Sequence, residues 1–279
     1  MSNKIKRFIK NGSFLAYIIM CLIAVIMITP LFWMFTSSLK NIEQFYANPP
    51  VWIPIPANFD NYKNALYTME FTRTIANTLF YAVSLAGVTV FSSSFVAFGF
   101  SRFQFKGKKL LFSILLATMM LPNQIMTIPM FIVFKNIGWL NTFKPLIIPH
   151  CFGTAYHVFL IRQFMNGIPT EIDEAAKLDG CGPFRLYFQM IMPLSKSVLA
   201  VSTIFNFLWA WKDVWYSSIY LQSTDKQTIS VRLLQFIGDK SVEYGQLIAA
   251  TVMAILPLII LYLLCQKYFD SGISIAESK

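Results

Sequence analysis

Few residues in this chain are of a type and spacing that could do chemistry. The densest group is EIDEAAKLDG, residues 171 to 180, which holds four of the thirteen acidic side chains: Glu171, Asp173, Glu174 and Asp179. They read as the acidic start of a short helix, not as a catalytic acid and base set against each other in an apolar pocket. His150 and His157 are seven apart, two turns along one helical face, whereas zinc sites on helices prefer i, i+4 histidines with an acidic partner. A polar contact between helices is the expected role of both. The four cysteines, Cys21, Cys151, Cys181 and Cys265, form no C-x-x-C pair. GDKS at 238 to 241 lacks the glycine spacing of a phosphate-binding loop, and there is no G-x-S-x-G motif. The chain is therefore expected to be no enzyme, to hold no metal or cofactor, and to leave ATP chemistry to other proteins.

The elements that must position these residues are read from composition. Of 279 residues, 56% are hydrophobic, 16% aromatic and 13% charged, against roughly 25% charged in soluble domains. With a mean hydropathy of +0.56, a water-soluble fold has nowhere to put so much apolar surface. The expected fold class is all-α integral membrane protein. A membrane helix needs about 20 apolar residues. Six candidates follow: residues 14–36, then about 74–100, 110–134, 141–164, 194–221 and 245–266. Residues 1–13 form a basic N-terminal segment, 37–73 an external loop, 74–267 the core with helices 2–6, and 268–279 a tail. The first apolar run reads as a retained anchor, because it is longer than a signal-peptide core and lacks a small-residue cleavage site.

The net charge of +10 fits this layout without nucleic acid as a partner. Lys4, Lys6, Arg7 and Lys10 precede the first span, and Arg102, Lys106, Lys108 and Lys109 sit between the second and third. Such short basic segments mark the cytoplasmic side, so both termini are expected inside. Contact with lipid headgroups is the plain role of the second group. The acidic stretch then falls in the longest inner loop, 166–193, between spans four and five.

Within that loop Thr170 reads as an N-cap, with Asp173 three residues later in the manner of a capping box. Ile172, Ala175 and Ala176 give the helix a small apolar side. Gly180 supplies its stop. A capped, rigid helix outside the membrane suits contact with a partner protein.

The spacing carries a resemblance. Glu174-Ala175-Ala176, then Gly180, nine residues, and Met190-Ile191-Met192-Pro193 resemble the E-A-A, G, I-x-L-P loop of bacterial ABC importer permeases, with Met standing for Ile and Leu. MLPNQIMTIPMFIVFKNIGWLNT, FLWAWKDVW and YGQLIAATVMAILPLIILYLLCQKYF extend the resemblance to the maltose-type carbohydrate permeases, nearest their smaller six-helix subunit. The tail matches in part, through Tyr268, Phe269, Gly272 and Ile273, and departs at Glu277. This resemblance implies a permease subunit of an ATP-driven sugar importer in the bacterial cytoplasmic membrane. The implied partners are a second, different permease, homodimeric or heterodimeric ATP-binding subunits, an external solute-binding protein and membrane lipid. The stretch around 171–180 would be the coupling helix. Glu171, Glu174, Ala175, Ala176, Asp179, Gly180 and Pro193 are the expected coupling residues, Glu174 making the key polar contact.

Polar residues inside spans are expensive and often functional. Asn123 and Gln124 follow Pro122: they turn toward a sugar path, or they satisfy carbonyls freed at the kink. Trp209 and Trp211 suit sugar rings and equally suit interface anchoring. With Asn206, these five residues are the candidate translocation path. Lys212 and Asp213 are adjacent and do not face each other on a helix. They are also the only ionisable side chains that would suit the alternative, a free-standing secondary carrier. An ABC permease for a non-sugar solute such as glycerol phosphate is the other alternative.

Overall fold

In the computed structural model, which describes residues 13–238 and 244–277, regular structure is helical and no strand occurs among the described residues. The helices are α1 (Ser13–Ser37), α2 (Ile42–Phe45), α3 (Asp60–Thr68), α4 (Phe71–Arg102), α5 (Lys108–Thr118), α6 (Thr127–Asn136), α7 (Lys144–Ile147), α8 (Ala155–Asn166), α9 (Glu171–Leu178), α10 (Pro183–Leu186), α11 (Met192–Leu194), α12 (Lys196–Lys212), α13 (Trp215–Tyr220), α14 (Ile229–Gly238) and α15 (Tyr244–Glu277). Among the described residues, three unbroken stretches are long and apolar enough to cross a membrane: Leu15–Ser37, Phe71–Arg102 and Tyr244–Gln266. The expected N-terminal segment lies outside the described residues except for its last position. The expected tail is a helical continuation of α15 as far as Glu277, and its side chains lie outside the described residues.

The chain divides into two units. The first comprises Met1–Met69 and Phe236–Leu256. Here α1 is apolar and exposed nearly all round, as a helix bathed in lipid would be. Its end is pinned by Asn61, whose buried amide donates to the carbonyls of Ser38 and Lys40, each at 2.9 Å. Gly245 is what makes room for that amide, since a Cβ there would sit 2.5 Å from Asn61 Nδ2. Trp33 packs edge-on to Trp52 with centroids 5.0 Å apart, and Phe45 stacks on Tyr244 at 5.4 Å.

The second unit comprises Glu70–Gln235 and Pro257–Lys279, and α4 is its axis. Thr78, Ala82, Ala86, Thr89, Ser93 and Ala97 are buried along one side of α4, whereas Phe80, Val83, Phe91 and Phe95 are exposed. Small residues at helical spacing let neighbouring backbones approach closely. That stripe is why α8 and α12 pack along α4. Some hydroxyls of α4 are satisfied locally or across helices, Thr78 donating to Thr74 O at 2.7 Å and Ser94 sharing a 2.6 Å bond with Tyr187, while the buried Thr89 hydroxyl has no partner among the described residues.

The third, fourth and fifth expected spans are chains of shorter helices. Pro122 has no N–H to continue α5, and a 3-10 turn (Asn123–Met126) follows before α6. Pro149 and Gly153, at φ 82°, separate α7 from α8, so His150 and His157 do not share one continuous helical face. Residues Pro183–Leu194 and Lys196–Lys212 meet at 77°, and α12 stops at Lys212.

Candidate functional site

The acidic stretch folds as α9, with its sides sharply divided. Asp173 and Ala176 are buried, while Glu171, Glu174, Ala175, Leu178, Asp179 and Gly180 are exposed. Leu178 keeps 90% of its surface open. Ala176 belongs to a core with Ala97, Phe98, Ile161, Met165, Tyr187 and Ile191, so α9 contributes to the buried cluster that α4 and α8 share. The helix ends as expected: Gly180, at φ 71°, lets its own N–H reach Lys177 O at 3.0 Å and the Cys181 N–H reach Ala176 O at 2.9 Å. This pair of bonds satisfies carbonyls that a helix end leaves open.

The start differs from the expectation. Thr170 sits in αR conformation and makes no side-chain cap, so no capping box forms with Asp173. Asp173 is turned inward instead, because a buried cation lies there. Arg102, the last residue of α4, places Nε 3.1 Å from Asp173 Oδ2, both side chains being nearly inaccessible. Both Arg102 terminal nitrogens donate to Ile168 O at 3.2 Å. Arg102 therefore is not a headgroup contact of a basic loop but a clamp on the loop that carries α9. Beside it, Arg162 Nε donates to Phe100 O at 3.1 Å, and its guanidinium lies 4.1 Å from the centre of the Phe112 ring. Pro193 lies exposed in α11, just before the 77° bend.

A second feature is a hollow in two contiguous parts, of about 710 and 880 Å3, that share His150, Thr154, Tyr156, Trp209 and Tyr216. Tyr81, Met130 and Phe134 line one part. Gln124, His157, Asn206, Lys212 and Asp213 line the other. Three of the five candidate path residues, Gln124, Asn206 and Trp209, thus meet at one wall. The side chain of Asn123 lies outside the described residues. Trp211 is elsewhere: it is 2% exposed, stacks on Phe207 at 5.4 Å, and its carbonyl accepts from Ser230 Oγ at 2.6 Å.

The wall offers aromatic faces and amide or ring nitrogens together. Trp209 and Tyr156 are both exposed, and Trp209 lies 6.1 Å from His150 and 6.0 Å from Tyr216, ring centre to ring centre. Asn206 Nδ2 donates to Ser202 O and bonds His157 Nε2, each at 2.9 Å. That leaves His157 Nδ1 buried and without a partner among the described residues.

Asp213 ends α12 by leaving helical conformation (φ −68°, ψ 108°) and then starts α13. Its Oδ1 accepts from Tyr216 N at 3.0 Å; its Oδ2 accepts from Ser217 N at 3.0 Å, Ser217 Oγ at 2.9 Å and Tyr81 Oη at 3.2 Å. The side chain that looked able to couple an ion is thus consumed in holding a helix break. Tyr81, Tyr156 and Thr154 were not singled out from sequence, since hydroxyls and aromatics in apolar runs carry no spacing signal.

Comparison with known proteins gives a consistent result. Residues 89–275 match the sequence model of the binding-protein-dependent transport system inner membrane component. The probable ABC transporter permease protein YurM of Bacillus subtilis is 32% identical over 279 residues, covering 98% of this chain and 90% of that protein. The arabinooligosaccharides transport system permease protein AraQ, also of Bacillus subtilis, is 30% identical, covering 81% and 80%. Among solved structures, a chain of a bacterial ABC transporter involved in import of the acidic polysaccharide alginate superposes with a TM-score of 0.81 at 23% identity, over 96% of this chain and 99% of that one. At that identity the likeness concerns the fold.

Proposed function

The chain belongs to the family of binding-protein-dependent transport system inner membrane components, the ABC transporter permeases, and from that premise we propose that it is one permease half of a carbohydrate importer. Six membrane crossings would come from the three long apolar helices together with the broken stretches 108–136, 144–166 and 196–220, leaving both termini in the cytoplasm. The second, different permease would complete the path, two ATP-binding subunits would sit beneath the inner loop, and an external binding protein would deliver the cargo. The related permeases named for oligosaccharides favour a carbohydrate cargo.

One observation carries this reading: α9 is seated on the helical core by Ala176 and the Arg102–Asp173 clamp, and presents Glu171, Glu174, Ala175 and Leu178 outward. An exposed helix with a rigid back can pass a rigid-body movement from a docked partner to the helices behind it. Glu174 would make the polar contact, Leu178 would enter an apolar cleft, and Asp179, Gly180 and Pro193 would shape the return to the membrane. At the other end of α4, Gln124, Asn206, Trp209 and the hollow around them would form part of the sugar path. Rings suit sugar faces.

The test is co-purification of the ATP-binding subunits with the wild-type chain and with Glu174→Ala and Leu178→Asp. Both sites are exposed, so the variants should insert and fold normally. Loss of the ATP-binding subunits from Leu178→Asp supports the reading. Their retention by both variants would move the docking site elsewhere.

A further inference from the structure

We infer that the hollow selects carbohydrates carrying a negative charge, a carboxylate or a phosphate, and that Lys212 is the residue that selects them. This rests on the hollow being the sugar path proposed above.

The argument starts from a charge count at the wall. Among the described residues lining both parts of the hollow, Lys212 and Asp213 are the only Lys, Arg, Asp or Glu side chains. As sequence neighbours they would seem to cancel. At long range they do, but at contact distance the structure separates their roles, because Asp213 is buried and its carboxylate is filled by two backbone N–H groups and two hydroxyls at 2.9 to 3.2 Å. A carboxylate held by four donors in a helix break has little left for a neighbouring ammonium. Lys212 is exposed at the cavity wall and makes no ion pair or hydrogen bond among the described residues.

The carbonyl end of α12 and the Asp213 carboxylate offset the long-range field of Lys212, so what it offers is a short-range contact. Its ammonium group belongs to the wall of a concavity that also offers Gln124, Asn206 and the ring of Trp209. An ammonium at the wall of a sugar-sized hollow, with no partner of its own, forms charge-assisted bonds with an anion that enters. For a neutral sugar it adds nothing that an amide would not.

The experiment is equilibrium binding to the purified complex of both permeases and the ATP-binding subunits, without the external binding protein, so that selection belongs to the membrane part alone. The probes are a uronic acid trisaccharide, a hexose phosphate and a neutral trisaccharide. The wild type should bind at least one anionic probe about tenfold more tightly than the neutral one, and this preference should shrink with added salt. Lys212→Gln should abolish the preference and Lys212→Arg should keep it. Preference for the uronate alone assigns a carboxylate, and preference for the hexose phosphate alone assigns a phosphate. Equal binding of neutral and anionic probes, unchanged in Lys212→Gln, overturns the role of Lys212 and leaves the carbohydrate path standing. Failure of all three probes to bind overturns the path itself.

Discussion

Arg102 at the end of α4 lies 3.1 Å from Asp173 of α9, and its two terminal nitrogens converge on Ile168 O. In the first half of the same helix, Tyr81 donates to Asp213 at the break between α12 and α13. Twenty-one residues of helix separate Tyr81 from Arg102, about 30 Å at 1.5 Å per residue. One rod thus touches both the wall of the hollow and α9.

Breaking the clamp should be costly. Both side chains are nearly inaccessible, and removing one partner of a buried pair costs about 3–5 kcal/mol because the other charge is stranded. Arg102→Gln and Asp173→Ala should each lower thermal stability and abolish stimulation of ATP hydrolysis by loaded binding protein. The exchange Arg102→Asp with Asp173→Arg should recover part of the stability lost by either single change, read as a melting shift of the purified complex.

Gly180 isolates a purely conformational effect. Nothing lies within 4 Å of where its Cβ would be, yet φ is 71°. Gly180→Ala should therefore destabilise by about 1–2 kcal/mol through backbone strain alone, and Gly180→Asn by less, since Asn tolerates this region. Calorimetry of the two variants checks the order.

Gly245→Ala should act through contact instead. The new methyl would meet the Asn61 amide, which could give way only by losing its bonds to Ser38 O and Lys40 O. We expect a loss of about 1–3 kcal/mol. Asn61→Ala combined with Gly245→Ala should cost less than the sum of the two changes, measured by thermal melting as a double-mutant cycle.

Trp209 and Trp211 are two residues apart and should behave oppositely. Trp209 is exposed at the hollow, so Trp209→Ala should reduce sugar uptake while leaving the melting temperature near wild type. Trp211 is buried against Phe207, so Trp211→Ala should destabilise by about 3–5 kcal/mol. Uptake and melting of the two variants, measured side by side, separate the roles.

The sequence made α9, its acidic first turn and its glycine stop legible, because helix punctuation is local. It made the long apolar helices legible for the same reason, their length alone being diagnostic. The Arg102–Asp173 clamp was not legible: it joins residues far apart in the chain, and each had a sufficient local explanation, the one as a basic-loop cation and the other as a first-turn carboxylate. Asp213 was hidden likewise, since nothing in WKDVW says that the helix breaks there. Trp211 looked equivalent to Trp209 because the rotation of a helix against its neighbours is set by packing, here by the small-residue stripe of α4.

The most direct measurement is uptake of labelled oligosaccharide into proteoliposomes holding this chain, its second permease and the ATP-binding subunits. Uptake should require both ATP and the loaded binding protein, and it should fall at least tenfold in Glu174→Ala. Uptake by the permease chains alone, driven by an ion gradient and indifferent to ATP, would contradict the account.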